Sequence, residues 1–383
     1  MSEVVNPDQD LAWVAEVRQQ LVRWYQQGHR DLPWRTTRDA YRILVSETML
    51  IQTTVTAVIP YYDRFLARFP TIRDLAGAEE TEVLKAWEGL GYYRRARQLH
   101  MAAQVIVRDY GGAVPDELDA VRALPGVGRY IAGAILSFAF DRAAPIVEAN
   151  TQRVLARWLA WKEDLRSSRS QARLWRAAER LVPPEGAGLF NQAMIELGAV
   201  ICTPRVPLCL ACPVTSECRA RGLGLQDALP IKLAKEPPLA VIEACALVVR
   251  QGRLLIVRRT ADGLWGGFWE FPTVHLGGAD PAGRSFGEPI ELAEGVRRLT
   301  GVRAAIGPAV RTLRFGVTKH RVELSAHAAV GEEGELRAGP GLSEVRWEMP
   351  SALSEYPFGS AGRRLALWVT QLGAAGLQQR VRG

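Results

Sequence analysis

Four of the chain's five cysteines, Cys202, Cys209, Cys212 and Cys218, fall in one short loop with the spacing C-x6-C-x2-C-x5-C. Thiolates crowded in this way repel one another unless a metal takes them. Four sulfurs can hold a tetrahedral zinc or the corners of a four-iron cluster, and spacing alone does not choose between these. An odd cysteine count with four clustered is no disulfide framework for a chain of 383 residues. Cys245 stands apart and reads as an ordinary buried strand residue.

The residues before this loop read as helical. Apolar side chains recur at spacings of three and four in AWVAEVRQQLVRWYQQ and RILVSETMLIQTTVTAVIPYYDRFLARF, with turns such as RFPTIRD and DYGGAVPDE between such segments. No strand pattern precedes residue 240. The stretch GLGLQDALPIKLAKEPPL, Gly222 to Leu239, has a proline pair and little periodicity, and reads as a linker. Beyond it the texture becomes α+β. ACALVVR and RLLIVRRT, separated by Gln251-Gly252, predict a hairpin; a helix follows at Ile290 to Thr300, then the alternating TKHRVELSAHAAV.

The length allows two or three domains. A hydrophobic share of 48% with 23% charged residues is globular and argues against disorder. A net charge of +7 fits a polyanionic partner, though many chains are mildly basic. The longest apolar run, Ile131 to Phe140, is broken by Gly and Ser and is too short to span a membrane. The polar, acidic start MSEVVNPDQD is no secretory leader, so an intracellular, cytoplasmic protein without membrane attachment is expected.

Leu124-Pro125-Gly126-Val127-Gly128 lies between the helical segments DELDAVRA and RYIAGAILSFAF. Its glycines permit a sharp turn, and the amides opening the next helix then point at an anion. LPGVG resembles the helix-hairpin-helix signature, which grips a DNA phosphate without reading sequence.

The cysteine loop, directly after FNQAMIELGAVIC and containing CTPRVPLCLACP, resembles the iron–sulfur loop of the endonuclease III superfamily of DNA glycosylases. The resemblance, not the spacing, implies a [4Fe–4S] cluster on Cys202, Cys209, Cys212 and Cys218. It also implies a basic loop to which Arg205, Arg219 and Arg221 contribute, unless these are plain surface charges. Lyase members of the superfamily carry a Lys where this chain has Tyr130. A phenol cannot form the Schiff base that an amine forms, so a monofunctional glycosylase is expected.

Glu47 sits inside an otherwise apolar helical stretch. Facing a pocket it would be desolvated and protonated; facing solvent it would be an ordinary helix carboxylate. VSETMLIQT, WEGLGYYRRARQLH and DLPWRTTRDAYRILVSE resemble MutY-type adenine glycosylases, from about Trp13 to past Tyr356. That resemblance makes Glu47 the acid that protonates the adenine leaving group. Thymine-specific relatives share the Tyr but lack the Glu. It further implies a flipped-out base, with Gln52 and Tyr92 wedged into the stack. Arg35, Gly126, Gly128, Lys319 and His320 are the other expected DNA contacts.

One departure bears on chemistry. The family pattern D-G-N-V reads Glu148-Ala149-Asn150-Thr151 here, while Asn150 and Arg153 are retained. Glu carries the same charge on a stem one methylene longer. Either Glu148 stabilises the sugar cation, with Tyr130 and Asn150 supporting sugar and water, or the protein is a slow or non-catalytic lesion binder. The alternative enzyme is a thymine or uracil mismatch glycosylase.

GLWGGFWEFPTV resembles the Nudix-like domain of MutY proteins. Nudix hydrolases need a metal-binding helix REUxEExGU. Here EGVRRLTGV places Arg298 and Leu299 where two carboxylates should stand, so no pyrophosphohydrolase activity is expected. In that family the domain recognises 8-oxoguanine through a Phe-Ser-His loop, matched here by Thr318-Lys319-His320. The expected architecture is multidomain. An all-α helix-hairpin-helix glycosylase domain with an iron–sulfur loop occupies residues 1–221, with the hairpin at about 116–140 and the loop at 202–218. A linker, 222–239, leads to an α+β Nudix-like lesion-recognition domain, 240–383. The expected partner is double-stranded DNA containing A:8-oxoguanine or A:G, bound by a nucleoid-associated monomer.

Overall fold

The computed structural model describes residues 11–231, 237–261, 266–278, 291–317 and 319–381. Thr318, Ile290 and the Gly263–Trp265 start of GLWGGFWEFPTV lie outside the described residues. Along the chain come α1 (Leu11–Gln27), α2 (Ala40–Leu50), α3 (Val55–Arg68), α4 (Ile72–Ala76), α5 (Glu80–Ala86) and α6 (Arg94–Asp109). Then follow α7 (Leu118–Ala123), α8 (Arg129–Phe140), α9 (Ala149–Trp158), α10 (Ser168–Leu181), α11 (Ala187–Glu196) and α12 (Arg219–Gly222). The chain forms two compact units. The first runs to Glu79 and resumes from Arg94 to the linker; the second takes Glu80–Tyr93 and the residues beyond the linker.

In the first unit the caps set where helices begin. Asp39 accepts from the Arg42 amide at the start of α2, and Thr54 accepts from Ala57 at the start of α3. α8 is buried continuously from Ile131 to Ser137, so it sits centrally rather than at the surface. A second cluster joins Val17 and Leu21 of α1, Leu155 and Trp158 of α9, Leu174 of α10 and Phe190 of α11. Each such side chain contributes roughly 1.5–3 kcal/mol of burial. A π-turn, Leu197–Ile201, ends α11 and delivers Cys202. There a Cβ on Gly198 would lie 2.6 Å from the Asn150 Cβ, so only glycine lets this turn meet α9 so closely. Part of the expected linker is ordered on this unit: Leu229 is buried and its carbonyl accepts from Arg157 Nε at 3.0 Å.

The second unit is a mixed sheet of β1 (Leu239–Arg250), β2 (Arg253–Arg259), β3 (Trp269–Glu270), β4 (Thr273–Gly278), β5 (Ala304–Val317), β6 (His320–Gly331) and β7 (Leu342–Glu348), with α13 (Leu292–Thr300) and α14 (Ser360–Gln379). The order is β3-β2-β1-β6-β5, with β4 also on β1 and β7 on β2. Only β1 and β6 run parallel among these pairs. Ala244, Ala246 and Val248 pack with Val296 and Leu299 of α13, while Cys245, Leu247 and Val249 pack with Leu365 and Val369 of α14. β1 is therefore buried on both faces from Ala244 to Val249, which explains the unbroken apolar sequence of that stretch. The hairpin turns at Gln251 (φ 50) and Gly252 (φ 75), the left-handed pair that matches strand twist. Among the described residues, no helix is long and apolar enough to cross a membrane.

Candidate active site

A cavity of about 440 Å³ opens in the first unit, lined by Trp34, Arg35, Glu47, Gln52, Tyr130, Glu148, Asn150 and Gln192 among others. α2 brings Glu47 into it, α8 brings Tyr130 and α9 brings Asn150. Three of the sequence's catalytic candidates thus arrive on separate helices, and Glu148 on the residue capping α9.

Glu47 is 3% exposed, and the Tyr130 hydroxyl donates to its Oε2 at 2.6 Å. Burial pushes its carboxyl up to about 7, aided by the Glu148 charge and opposed by the Tyr130 hydrogen bond and Arg35. Burial also drives the Tyr130 phenol well above its usual value, so it serves as a neutral donor.

Glu148 accepts from the Asn150 amide at 2.9 and 2.8 Å and from the Thr151 amide at 2.9 Å, while its own amide donates to Thr151 Oγ1 at 2.8 Å. This is a capping box built on Glu. Burial raises its carboxyl, but the Asn150 and Thr151 amides pull it back. The two acids therefore differ: Glu148 has backbone donors and a helix N-terminus supporting its anion, whereas Glu47 has one phenol in a dry pocket.

Asn150 is fixed in turn. Its Oδ1 accepts from Arg153 Nη2 at 2.8 Å. Arg153 also donates to the carbonyls of Gly198 at 2.6 Å and Cys202 at 2.7 Å. Arg157 reaches the Cys202 sulfur at 3.2 Å and the Thr203 carbonyl at 2.8 Å.

Arg35 lines the same pocket. Its guanidinium side chain is 7% exposed and donates to Glu196 Oε2 at 2.7 Å. Arg30 binds the same carboxylate with two nitrogens. Burial alone would raise Glu196, but the two arginines overcome it and hold its carboxyl at about 2. The sequence reading missed Glu196 and Arg30. The signal was there, since Glu196 is a lone charge in the apolar run FNQAMIELGAVIC, as Glu47 is in its own. Arg95 was also missed: it donates to the carbonyls of Thr48 at 2.9 Å, Met49 at 2.8 Å and Ile51 at 2.5 Å, closing the end of α2.

Gln52 (φ 56) and Tyr92 (φ 49) are both exposed and both left-handed, a conformation costly for side chains of this size. Gly126 (φ 75) turns the hairpin between α7 and α8, where a Cβ would strike Gln98, and Gly128 caps α8 without a side-chain acceptor on its amides. Lys319 is exposed at the turn between β5 and β6. His320 opens β6 and is 5% exposed, on the inward side of the strand's alternation.

The four loop cysteines are all partly exposed. Burial pushes the Cys212 thiol up to about 12, and Cys202, Cys218 and Cys209 each push it further, so the four sulfurs lie within one another's fields. Among the described residues, no three Cys, His, Asp or Glu side chains close on a single ion.

Residues 45–180 match the family model of the HhH-GPD superfamily base excision DNA repair proteins, and residues 244–367 match a NUDIX domain. The rat adenine DNA glycosylase is 40% identical over 327 residues, covering 72% of this chain and 63% of that protein. The mouse adenine DNA glycosylase is 36% identical over 400 residues, 88% of this chain and 75% of that protein. An adenine DNA glycosylase of Buchnera aphidicola from Acyrthosiphon pisum is 34% identical over 255 residues, 66% and 73% of the two chains. The chain thus spans somewhat under two thirds of the rat protein and three quarters of the mouse protein. Among solved structures, a thermostable thymine-DNA glycosylase aligns at TM-score 0.51 and 33% identity, over 55% of this chain and 98% of that one. With these relatives and a helical unit followed by a Nudix-like sheet unit, the chain belongs to the adenine DNA glycosylases, a family of DNA N-glycosylases in base excision repair.

Proposed function

We propose that this chain hydrolyses the N-glycosidic bond of adenine paired with 8-oxoguanine or guanine in duplex DNA, leaving an abasic site and an uncut strand. The observation that carries this reading is the Glu47–Tyr130 hydrogen bond of 2.6 Å in a pocket that holds the Glu47 carboxyl at about 7. Near neutral pH Glu47 is protonated often enough to pass its proton to a ring nitrogen of the departing base. The glycosidic electrons leave with adenine, and the cation developing on the sugar faces the Glu148 carboxylate. Asn150 orients the water that completes hydrolysis. Tyr130 offers no amine, so the strand is not cleaved through a Schiff base. In this reading Gln52 and Tyr92 hold the stack open, Gly126 and Gly128 seat a phosphate, and Lys319 meets the backbone.

A [4Fe–4S] cluster on this loop is supported by four thiols within one another's fields and by Arg157 at Cys202. When bound, the cluster would tie Cys202, Cys209, Cys212 and Cys218 together as a structural crosslink. Residues 1–221, apart from the Glu80–Tyr93 segment that packs with the second unit, form the glycosylase domain, and 240–383 the domain that senses 8-oxoguanine. The chain acts as a monomer on nucleoid DNA in the cytoplasm.

Single-turnover release of adenine from A:8-oxoguanine and A:G duplexes tests this. Wild type should release adenine, and Glu47→Gln should not. Binding without release by wild type would make the chain a lesion binder. Release of thymine or uracil from T:G or U:G duplexes in place of adenine would overturn the substrate.

A further inference from the structure

Tyr92 is carried by a knuckle that packs as part of the second unit. Gly89 (φ 103) and Gly91 (φ 73) reverse the chain twice within three residues. Trp87 is fully buried, and its Nε1 donates to the Gly91 carbonyl at 3.2 Å. The Gly89 amide donates to the Tyr93 hydroxyl at 3.2 Å. Closed in this way, Trp87–Tyr93 presents Tyr92 with half its surface in solvent and its backbone left-handed. Such a conformation persists only where the surroundings over-determine it.

Contacts within the second unit anchor the knuckle. The Tyr93 ring lies 4.2 Å from that of Phe268. Glu88 pairs bidentately with Arg363 of α14, with Nη2 to Oε2 at 2.8 Å, and the two side chains are only 15% and 17% exposed. Arg363 also donates to the carbonyls of Leu353, at 2.8 Å, and Tyr356. A desolvated ion pair of this kind adds little net stability, but its fork fixes orientation.

We propose that Arg363 and Phe268 are positioning residues for Tyr92, so that the second unit aims the side chain entering the base stack. Sensing of the opposing base and extrusion of the target then share one compact unit of the protein. This rests on the wedge reading of Tyr92 above.

The test uses the full chain and an A:8-oxoguanine duplex with 2-aminopurine beside the target adenine, whose fluorescence reports extrusion on rapid mixing. A second substrate carries the adenine opposite an abasic gap, already unstacked. Arg363→Met should slow extrusion by about tenfold. Combined with Tyr92→Ala it should add nothing to the loss that Tyr92→Ala causes alone. The exchanged pair Glu88→Arg with Arg363→Glu should recover most of the rate. Adenine release from the unstacked substrate should stay at the wild-type level in Arg363→Met. Should Arg363→Met melt early, Phe268→Leu repeats the comparison. Wild-type extrusion in both Arg363→Met and Phe268→Leu, or a loss fully additive to Tyr92→Ala, overturns the proposal. Failure of wild type to release adenine from the unstacked substrate would instead sink the catalytic reading, leaving the fluorescence comparison to decide this one.

Discussion

The Arg153 guanidinium stands 2.8 Å from the side-chain oxygen of Asn150 and 2.7 Å from the main-chain oxygen of Cys202, so one side chain spans the pocket and the cysteine loop. Arg153→Met should leave the buried carbonyl of Gly198 without its donor, at about 1–3 kcal/mol, and the part-buried one of Cys202 as well, at less. Melting should fall by several degrees, and single-turnover release should fall with it. Lys at this position restores charge without the fork and should recover only part of both. Wild-type release in Arg153→Met would show that Asn150 holds its place unaided.

Replacing Glu47 should trade activity for stability. Its carboxyl rises from 4.5 to about 7 on folding. Below the lower value both states carry the proton and nothing is lost. Between the two, the unfolded chain ionises first, so stability declines as pH rises. Above about 7 the folded carboxylate is charged in a dry pocket, a penalty of roughly 3 kcal/mol. Glu47→Gln should therefore be inactive, yet melt higher than wild type at pH 8, with the gap closing towards pH 5. Equal melting of the two proteins at pH 8 would mean the carboxylate is solvated.

The same group sets the pH–rate profile. Glu47 must be protonated to act, so release should decline as pH rises through about 7. The Tyr130 hydrogen bond lowers the Glu47 carboxyl. Tyr130→Phe should therefore move the declining limb to higher pH. A limb that stays put or moves to lower pH would show that the phenol does not act on this carboxyl.

Glu148 caps α9 through the amides of Asn150 and Thr151. Asp caps helices equally well, so Glu148→Asp should melt within about 1 kcal/mol of wild type. Its carboxylate would be drawn back by one methylene from the place the Glu148 carboxylate holds. Release should fall roughly tenfold. A gain in rate would mean that Glu handicaps this site.

Local features were legible because they are written locally. The cysteine spacing, the two glycines of LPGVG, the turn at Gln251-Gly252 and the unbroken apolar run of β1 each carry their own cause. Glu47 was legible as a charge in an apolar helix, although only the fold could show whether it faced a pocket. What escaped is set by partners far along the chain. The Arg35–Glu196 pair joins residues far apart in the chain. The inward turn of His320 follows from the register of β6. Nothing in WEGLGYYRRARQLH announces that Glu88 belongs with Arg363.

The parallel pairing of β1 with β6 bears on how the protein is made. Leu239 lies opposite His320 and Val249 opposite Val330, so the central strand gains this neighbour only after the intervening chain has been synthesised. Contacts of such long sequence separation form slowly, because loop closure must precede them. A ribosome-bound chain would hold β1, apolar on both faces, with one edge open for seconds. Chaperone supply and growth temperature should therefore limit soluble yield through the second unit, while the helical unit, rich in local contacts, collapses early.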